Sequence, residues 1–306
     1  MSNIAFLTYA AFPDLAPDEL IAVHELEKYG VRVTPAIWDQ TDAEQLAEYD
    51  LVIVRSVWDY YEKSQEFGAW LDSIEAKNIG VMNPVKLIRW NSSKKYLSEL
   101  GQTGKVPIVP TRWIARDDAN AVSKIEAMKW DRIVIKPEIS GSASLTYLIE
   151  RENISKFEKE ILQIQDRCDI MVQPFCDSVA TTGEYSLIFF NGKDGFEYSH
   201  AILKTPKGGD FRVQEEWGGT IITAEAPKEF QEVAEMAVAL IPGSWLYVRV
   251  DLILFEGSPC LAELELIEPH LYFRADPKAA NRFAVALLSH LGSEARVAKQ
   301  LAVNTL

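Results

Sequence analysis

Three carboxylates on two short apolar runs are the residues of this sequence best suited to chemistry. Asp251, Glu263 and Glu265 lie within residues 247–269, where a Glu-Gly-Ser-Pro turn separates the two runs. Residues two apart in a strand share a face, so Glu263 and Glu265 project together, and a hairpin brings Asp251 near them. Carboxylates that converge among Val, Leu and Ile repel one another unless a cation lies between them. Oxygen ligands of this kind suit Mg²⁺ shared with nucleotide phosphates, whereas a solvated acidic hairpin is the alternative.

A lysine followed by small residues ends another apolar run. Lys136 closes Ile133-Val-Ile-Lys and precedes the segment Ser140-Gly-Ser-Ala-Ser144. Small residues let backbone N–H groups approach phosphate oxygens, and the lysine supplies a point charge. The segment matches neither a Walker A loop nor GxGxxG, and a strand that ends before a surface turn is the alternative.

The run Met171-Val-Gln-Pro-Phe-Cys176 and the following Gly183-Glu184 suggest an adenosine-binding edge. Such an edge offers the Pro174 carbonyl and the Cys176 N–H to an adenine, with the Glu184 carboxylate near a ribose hydroxyl. A plain strand boundary explains the same residues.

Cationic residues gather in a glycine-rich segment at 200–220. Lys204, Lys207 and Arg212 lie there in a chain with 31 Lys plus Arg, 45 Asp plus Glu and a net charge of −14. A local cationic loop in an acidic chain fits a clamp on phosphate or carboxylate, although it also fits a solvated loop. Arg249 shares a strand face with Asp251, which predicts either an ion pair or a catalytic role.

Composition narrows the function classes. The 306 residues suffice for more than one domain, and the acidic charge disfavours nucleic acid and anionic membrane as partners. The three cysteines form no CxxC pair, which favours a reducing compartment. No apolar run approaches the roughly 20 residues that span a bilayer, and the N-terminus lacks a basic signal-peptide region. We therefore expect a soluble cytoplasmic protein.

The N-terminal elements form an open α/β sheet in this interpretation, because apolar strands alternate with short helices. Ligands of such sheets bind beyond the carboxyl ends of the strands. Arg55 follows the apolar run at 50–54 and fits a bidentate contact with a carboxylate, whereas Asp59 suits an amine. A capped helix start with aromatic packing is the alternative. The candidate acceptor-binding residues are Tyr9, Asp14, Arg55, Asp59 and Tyr60.

The order of these motifs resembles the ATP-grasp superfamily of carboxylate–amine ligases, which includes glutathione synthetase and D-alanine–D-alanine ligase. The likeness covers about residues 87–269 and is most specific in Glu263-Leu-Glu-Leu-Ile-Glu-Pro269, which is similar to the family's E-x-N-x-x-S-P metal strand. Arg55-Ser-x-Trp-Asp-Tyr60 and Trp90-Asn91 with Lys94 resemble the cycloserine-forming branch, the O-ureidoserine cyclo-ligases. Glu265 replaces an asparagine common in the family, and Glu268 replaces a serine.

The resemblance implies a mixed α/β and α+β fold, an ATP-grasp fold with an N-terminal Rossmann-like pre-ATP-grasp domain. With the element pattern it divides the chain into an N-terminal substrate domain (1–85), a central lid with the phosphate loop (86–178) and a C-terminal part with the metal site (179–306). A single helix is predicted over residues 87–100.

The resemblance also implies residue roles. The nucleotide-binding residues are Lys94, Lys136, Ser140, Gly141, Ser142, Ser144, Gln173, Pro174, Phe175, Cys176, Glu184 and Arg212. The catalytic residues are Arg249, Arg212 and Lys136. Two Mg²⁺ ions are bound by Asp251, Glu263 and Glu265.

The implied activity is ADP-forming ligation. ATP activates a small carboxylate as an acyl-phosphate, and an amine of the same molecule or of another displaces phosphate. The alternatives are an ATP-grasp kinase, which stops at a phosphorylated hydroxyl, and a nucleotide-binding protein without turnover. The partners are small carboxylates and amines, and a homodimer is the default assembly.

Overall fold

The computed structural model describes residues 2–292 and begins with a parallel sheet of four strands. The spatial order is second, first, third and fourth strand. The strands are β1 (Ser2–Thr8), β2 (Val31–Ile37), β3 (Leu51–Val54) and β4 (Val81–Met82), and the connecting helices are α1 (Glu19–Lys28), α2 (Ala43–Leu46) and α3 (Ser64–Ala76). Every residue of β3 is buried, as expected for a parallel strand covered on both faces.

Two helices and an antiparallel sheet of four strands follow. The helices are α4 (Val85–Ser92) and α5 (Tyr96–Gln102). The strands are β5 (Arg112–Ile114), β6 (Arg132–Pro137), β7 (Tyr147–Glu150) and β8 (Ile170–Pro174), in the order β5-β8-β6-β7. Helix α6 (Ala121–Glu126), a 3₁₀ helix (Arg151–Phe157) and α7 (Glu158–Gln165) pack on this sheet through an isoleucine-rich core.

The third sheet has five antiparallel strands. They are β9 (Glu184–Gly192), β10 (Gly195–Thr205), β11 (Thr220–Ala224), β12 (Tyr247–Phe255) and β13 (Ser258–Glu265), in the order β11-β10-β9-β12-β13. The accompanying helices are α8 (Ser178–Thr181), α9 (Lys228–Val238) and α10 (Ala279–His290), with 3₁₀ turns at Glu215–Trp217 and Phe273–Ala275. The mixed α/β and α+β class predicted from the sequence is confirmed.

Two cores fix the third sheet. Helix α9 covers one face, where Val250, Leu264 and Leu266 are buried. Helix α10 packs against α1 and β9, so the first and third sheets share an apolar core that includes Phe6 and Phe283. Because Leu264 faces the core under α9, the alternation of the strand turns Glu263 and Glu265 to the opposite side.

The predicted single helix at 87–100 is wrong, because the chain leaves the helical conformation between α4 and α5. Ser93 is extended (φ −100°, ψ 124°). Its hydroxyl donates to the Glu138 carboxylate, and the Lys94 N–H donates to the Glu138 carbonyl oxygen at 3.2 Å. Contacts with the segment after β6 therefore override helix propensity and place Lys94 beside that segment.

Within residues 2–292, no helix is long and apolar enough to cross a bilayer.

Candidate active site

A cavity of about 470 Å³ is lined by residues of the second and third sheets and by loops that follow β1 and β3 of the first sheet. Its charged lining consists of Asp18, Lys94, Lys136, Glu184, Lys204, Arg212, Glu215, Glu216, Arg249, Asp251, Glu263, Glu265 and Glu268, together with His270. Eight carboxylates thus face five Lys or Arg side chains. The cavity concentrates charges of both signs, which is the arrangement expected of a site for charged ligands.

Strands β12 and β13 form the predicted hairpin. Asp251 lies opposite Glu263, and Arg249 lies opposite Glu265. The turn consists of Glu256 and Gly257 alone, both with positive φ (50° and 83°). The predicted four-residue turn is therefore too long, and its last two residues already belong to β13. This register brings the three predicted metal ligands together on the cavity.

Side chains from α4 and α5 hold β13 at the edge of its sheet. The Asn91 amide donates to the Leu264 carbonyl (2.9 Å), and its oxygen accepts from the Leu266 N–H (2.8 Å). The Tyr96 hydroxyl accepts from the Leu264 N–H (2.8 Å) and donates to the Leu264 carbonyl (3.0 Å). These hydrogen bonds pair the backbone N–H and carbonyl groups of Leu264, which lies between Glu263 and Glu265, and the N–H group of Leu266, which follows Glu265. They therefore set the position of both carboxylates.

Asp251 is the most strongly held carboxylate of the site. It is 3% exposed, its Oδ2 lies 2.9 Å from Arg249 Nη2 and 3.6 Å from Lys204 Nζ, and it accepts a hydrogen bond from Ser186 (2.5 Å). Burial acts to raise the pKa of Asp251, but the charges of Arg249 and Lys204 hold it well below its usual range. Arg249 also pairs with Glu265, so one guanidinium bridges two carboxylates.

Lys94 and Lys136 approach the site from the second sheet. The Lys94 ammonium lies 2.9 Å from Glu263 Oε1 and donates to the Ser140 carbonyl (2.9 Å). Among the described residues Lys136 has no ion-pair partner, and burial together with the charge of Lys94 lowers its pKa, against the pull of Glu263. Lys136 therefore supplies a positive charge that a ligand can use.

Two further carboxyl groups bind protons more tightly than usual. Burial raises the pKa of Glu265 to about 7 despite the charge of Arg249. Burial and the nearby Glu265 raise the pKa of Glu268 to about 8. The acidic end of the cavity thus holds more carboxylate than its own cations neutralise.

The predicted adenosine edge lies at the end of β8. Gln173, Pro174, Phe175 and Cys176 all line the cavity. Gln173 donates to the Thr111 hydroxyl (3.0 Å), and burial raises the pKa of the Cys176 thiol to about 12. Glu184 also lines the cavity but is paired with Lys204 at 3.0 Å.

Two loops meet over the cavity. In the first, Ser140, Gly141 and Ser142 line it, whereas Ser144 does not. A Cβ at Gly141 would lie 2.7 Å from the Tyr61 ring, which explains why glycine is required there. In the second loop, Arg212 pairs with Asp210 (2.7 Å) and stacks on Trp217 (3.4 Å to the ring centroid). Trp217 in turn donates to the Ser142 carbonyl (3.3 Å) and joins the loops.

Two predicted acceptor residues have structural partners instead. Arg55 is fully buried, does not line the cavity, and binds both Glu19 carboxylate oxygens (2.7 and 2.9 Å) and the Pro269 carbonyl. Its predicted role as a carboxylate clamp is corrected, because Glu19 already occupies the guanidinium inside the protein. The predicted role of Asp59 in binding an amine is corrected as well, since its carboxylate pairs with Lys63 (2.6 Å) and accepts a hydrogen bond from the Trp38 indole N–H (2.8 Å).

Of the three remaining residues that were predicted to bind the acceptor, one lines the cavity and two do not. Tyr60 lines the cavity, and burial raises its pKa. Asp14 is exposed, and Tyr9 lies 6.1 Å from Trp58 without lining the cavity itself. The lining residues that the sequence interpretation missed at this end are Phe12, Asp18, Trp58, Tyr61, Glu268, His270 and Tyr272. The position of His270 directly after the Glu-Pro end of the carboxylate strand was the one available signal.

Whether the cavity can bind a metal ion depends on the position and the chemistry of its carboxylates. Among residues 2–292, no group of three or more His, Cys, Asp or Glu is arranged to hold an ion, because the carboxylates turn towards Arg249, Lys94 and Lys204. The chemistry of the donors nevertheless fits a hard divalent cation, since only carboxylate oxygens converge and they outnumber the local cations.

Comparisons of the sequence with known proteins find two matches. The family model for the N-terminal domain of D-cycloserine synthetase DcsG matches residues 4–83. Cycloserine biosynthesis protein DcsG of Streptomyces lavendulae is 28% identical over 280 residues, which cover 85% of this chain and 90% of that protein.

Solved structures give the same result. The crystal structure of D-cycloserine synthetase DcsG superposes with a TM-score of 0.83 at 25% identity and covers 94% of this chain and 99% of its own. D-alanine–D-alanine ligase from Bacillus anthracis, complexed with ATP, superposes with a TM-score of 0.62 at 15% identity over 98% of this chain and 99% of its own. The chain is therefore similar over most of its length to D-cycloserine synthetase DcsG, and it has the fold of that protein and of a D-alanine–D-alanine ligase.

Proposed function

We propose that this protein is an ATP-dependent, ADP-forming carboxylate–amine ligase. It activates a small, amino-acid-like carboxylate as an acyl-phosphate, which an amine of the same molecule or of a second one then attacks. The observation that carries this proposal is the convergence of five Lys or Arg side chains and eight carboxylates on one cavity between the sheets. The similarity to D-cycloserine synthetase DcsG and to a D-alanine–D-alanine ligase supports it.

ATP is the proposed phosphoryl donor. The adenine is proposed to lie along Gln173 to Cys176, with Glu184 at the ribose. The phosphates are proposed to lie between Lys94 and Lys136, under the loop that contains Ser140, Gly141, Ser142 and Ser144. Backbone N–H groups and lysines of this kind bind polyphosphates without a Walker A sequence.

Two Mg²⁺ ions are the proposed metal cofactors, bound by Asp251, Glu263 and Glu265. When bound, they neutralise charge on the phosphates and polarise the phosphoryl group. The fit rests on charge: a bound ATP adds anionic charge to a cavity in which carboxylates already outnumber Lys and Arg. Lys94 pairs with Glu263, and Arg249 pairs with both Asp251 and Glu265.

Phosphoryl transfer requires positioning and charge stabilisation more than a nucleophilic side chain. The substrate carboxylate attacks the γ-phosphorus, and the bond to the ADP oxygen breaks. Lys136, Arg212 and Arg249 are the proposed catalytic residues that stabilise the transferring group. Lys136 suits this role because it is half-buried, lines the cavity and has no ion-pair partner among the described residues. Arg212 suits it because it lies on the loop that contacts Ser142 through Trp217.

The acceptor is proposed to bind at the end of the cavity formed by the loops after β1 and β3. Tyr60, Trp58 and Tyr61 provide aromatic surface there, and Glu268 and His270 provide polar contacts. Because Arg55 and Asp59 are engaged elsewhere, recognition of the substrate carboxylate and amine falls to these lining residues.

An assay that separates the alternatives combines ADP release with hydroxylamine trapping. The acids are D- and L-alanine, D- and L-serine and O-ureidoserine, each alone and with D-alanine as a second amine. A ligase releases ADP and forms a hydroxamate from its acyl-phosphate, whereas a kinase releases ADP alone. Binding of ADP without any turnover would favour the non-catalytic alternative. Because each acid carries its own amine, the mass of the product separates the two routes: one acid molecule less one water identifies ring closure, whereas two acid molecules less one water identify a dipeptide.

Other features of the molecule are proposals as well. We propose the domain division at residues 85 and 178, which the three separate sheets support. A cytoplasmic location is supported by cysteines that are all free thiols in the described chain. A homodimer is proposed as the assembly, and size-exclusion chromatography with light scattering tests it.

A further inference from the structure

A histidine–aspartate pair lines the acceptor end of the cavity and has no part in the ATP and metal roles proposed above. His270 follows the end of β13, and Asp18 comes from the loop between β1 and α1. The imidazole Nε2 lies 3.4 Å from Asp18 Oδ2. Both residues line the cavity, so the pair connects the N-terminal sheet with the strand that holds the carboxylates.

Asp18 is held in one position as an ionised carboxylate. It is 1% exposed and accepts hydrogen bonds from the backbone N–H groups of Phe273 (2.8 Å) and Arg274 (3.1 Å). Burial acts to raise the pKa of Asp18, but the contact with His270 and the backbone N–H groups holds it well below the usual range. A fixed carboxylate beside Nε2 favours the tautomer with the proton on Nε2, which leaves the lone pair on Nδ1.

The imidazole ring is also fixed in orientation. Its centroid lies 4.1 Å from the Tyr272 ring and 6.1 Å from the Trp58 ring. Its side chain is 23% exposed, and within residues 2–292 Nδ1 has no hydrogen-bond partner. The His270 carbonyl lies 3.5 Å from Arg249 Nη1, which places the histidine next to an arginine proposed for phosphoryl transfer.

We propose that His270 is the general base of the second half-reaction and that Asp18 positions it. This inference rests on the proposed function. The amine nitrogen attacks the acyl-phosphate carbon and the C–N bond forms. Before this attack the ammonium form of the amine gives one proton to His270 Nδ1, which frees the lone pair. The C–O bond to phosphate then breaks, and phosphate leaves with the electron pair and takes the second proton from nitrogen. An amine attacks only through a free lone pair, so this proton transfer determines the rate of ligation but not the rate of activation.

The other carboxylates of the cavity are less suited to this task. Asp251, Glu263 and Glu265 are paired with Lys or Arg. Glu268 is largely protonated at neutral pH, because burial and Glu265 raise its pKa to about 8. The charged and titratable groups around His270 are Asp18, Arg249, Glu268, Tyr272 and Arg274.

The test compares two nucleophiles on the same acyl-phosphate. Hydroxylamine is largely unprotonated at neutral pH and needs no base, whereas the amine substrate does. Wild type, His270→Gln, Asp18→Asn and Glu268→Gln are assayed with the acids named above, with hydroxamate and amide or ring-closed product measured separately. His24→Gln is the matched control, because His24 is exposed on α1 and outside the cavity.

The expected result for His270→Gln is a hydroxamate rate within about threefold of wild type and an amide or ring-closed product rate lower by about 10²–10⁴-fold. Asp18→Asn shows the same pattern with a smaller loss. Free imidazole restores product formation in His270→Ala, which a merely structural role does not predict.

Three results would overturn the inference: an equal loss of hydroxamate and product in His270→Gln, no loss of either, or the selective loss in Glu268→Gln instead. A wild-type protein that forms no hydroxamate from any of these acids contradicts the proposed function and not this assignment alone.

Discussion

The side chain of Asn91 binds the backbone that positions the candidate site. The structure allows us to work out how much stability its removal costs. Asn91→Ala leaves the buried Leu266 N–H without a partner, which costs about 1–3 kcal/mol. It also removes one of two bonds to the Leu264 carbonyl, a loss of about 0.5–1.5 kcal/mol, because Tyr96 still donates there. We expect the free energy of unfolding to fall by about 1.5–4.5 kcal/mol.

Urea denaturation followed by circular dichroism measures this loss, and Asn281→Ala is the matched control. Asn281 also makes two side-chain hydrogen bonds, to Glu25 and Tyr29, but its surroundings are only partly buried. The control should lose about 1 kcal/mol or less, because water replaces the lost partners. Because Asn91 orders the backbone on either side of Glu265, ATP affinity should also fall in Asn91→Ala and not in the control. Equal stability losses in the two variants would refute the reasoning.

Three further perturbations test other parts of the structure. Lys136→Ala should weaken ATP binding at least tenfold in calorimetry without lowering the melting temperature, since Lys136 has no ion-pair partner in the described chain; unchanged affinity would remove it from the phosphate site. Arg55→Ala should destabilise the fold by about 3–5 kcal/mol, because it leaves Glu19 charged and buried; a change in acceptor KM with normal stability would restore Arg55 to the acceptor site. Burial lowers the pKa of His200 below 6.5, so as the pH drops below about 6.5 the unfolded state binds a proton that the folded state does not. The free energy of unfolding therefore falls over this range, by at most about 1.4 kcal/mol per pH unit. Urea denaturation of wild type and His200→Gln between pH 5.5 and 7.5 isolates this contribution, and identical pH profiles would contradict it.

The sequence predicted the parts of the site that follow from strand periodicity. Alternation in β13 placed Glu263 and Glu265 on one face, and the short hairpin placed Asp251 beside them. The order of the lysines and the carboxylate strand then identified the superfamily, which the comparisons confirm. Local patterns were sufficient here because neighbouring residues of the chain are also neighbours in space.

Prediction failed where distant segments decide a residue's environment. Arg55 carries the charge of a ligand clamp, but its partner Glu19 is 36 positions away and becomes adjacent only in the folded chain. The break between α4 and α5 depends on Glu138, which no helix pattern at 87–100 reveals. Strand β11 was missed because its residues are mostly exposed and show no buried face in the sequence.

In the proposed reaction the cavity uses ATP to activate the carboxylate of a bound substrate, next to the Asp251–Glu263 pair. Hydroxamate formation that depends on both ATP and Mg²⁺, measured for wild type and Glu263→Gln side by side, tests it most directly. We predict equal amounts of ADP and hydroxamate from the wild-type protein, and background levels of both from Glu263→Gln at an unchanged melting temperature. Unchanged turnover in Glu263→Gln, or ADP release by the wild-type protein without hydroxamate, would contradict the account.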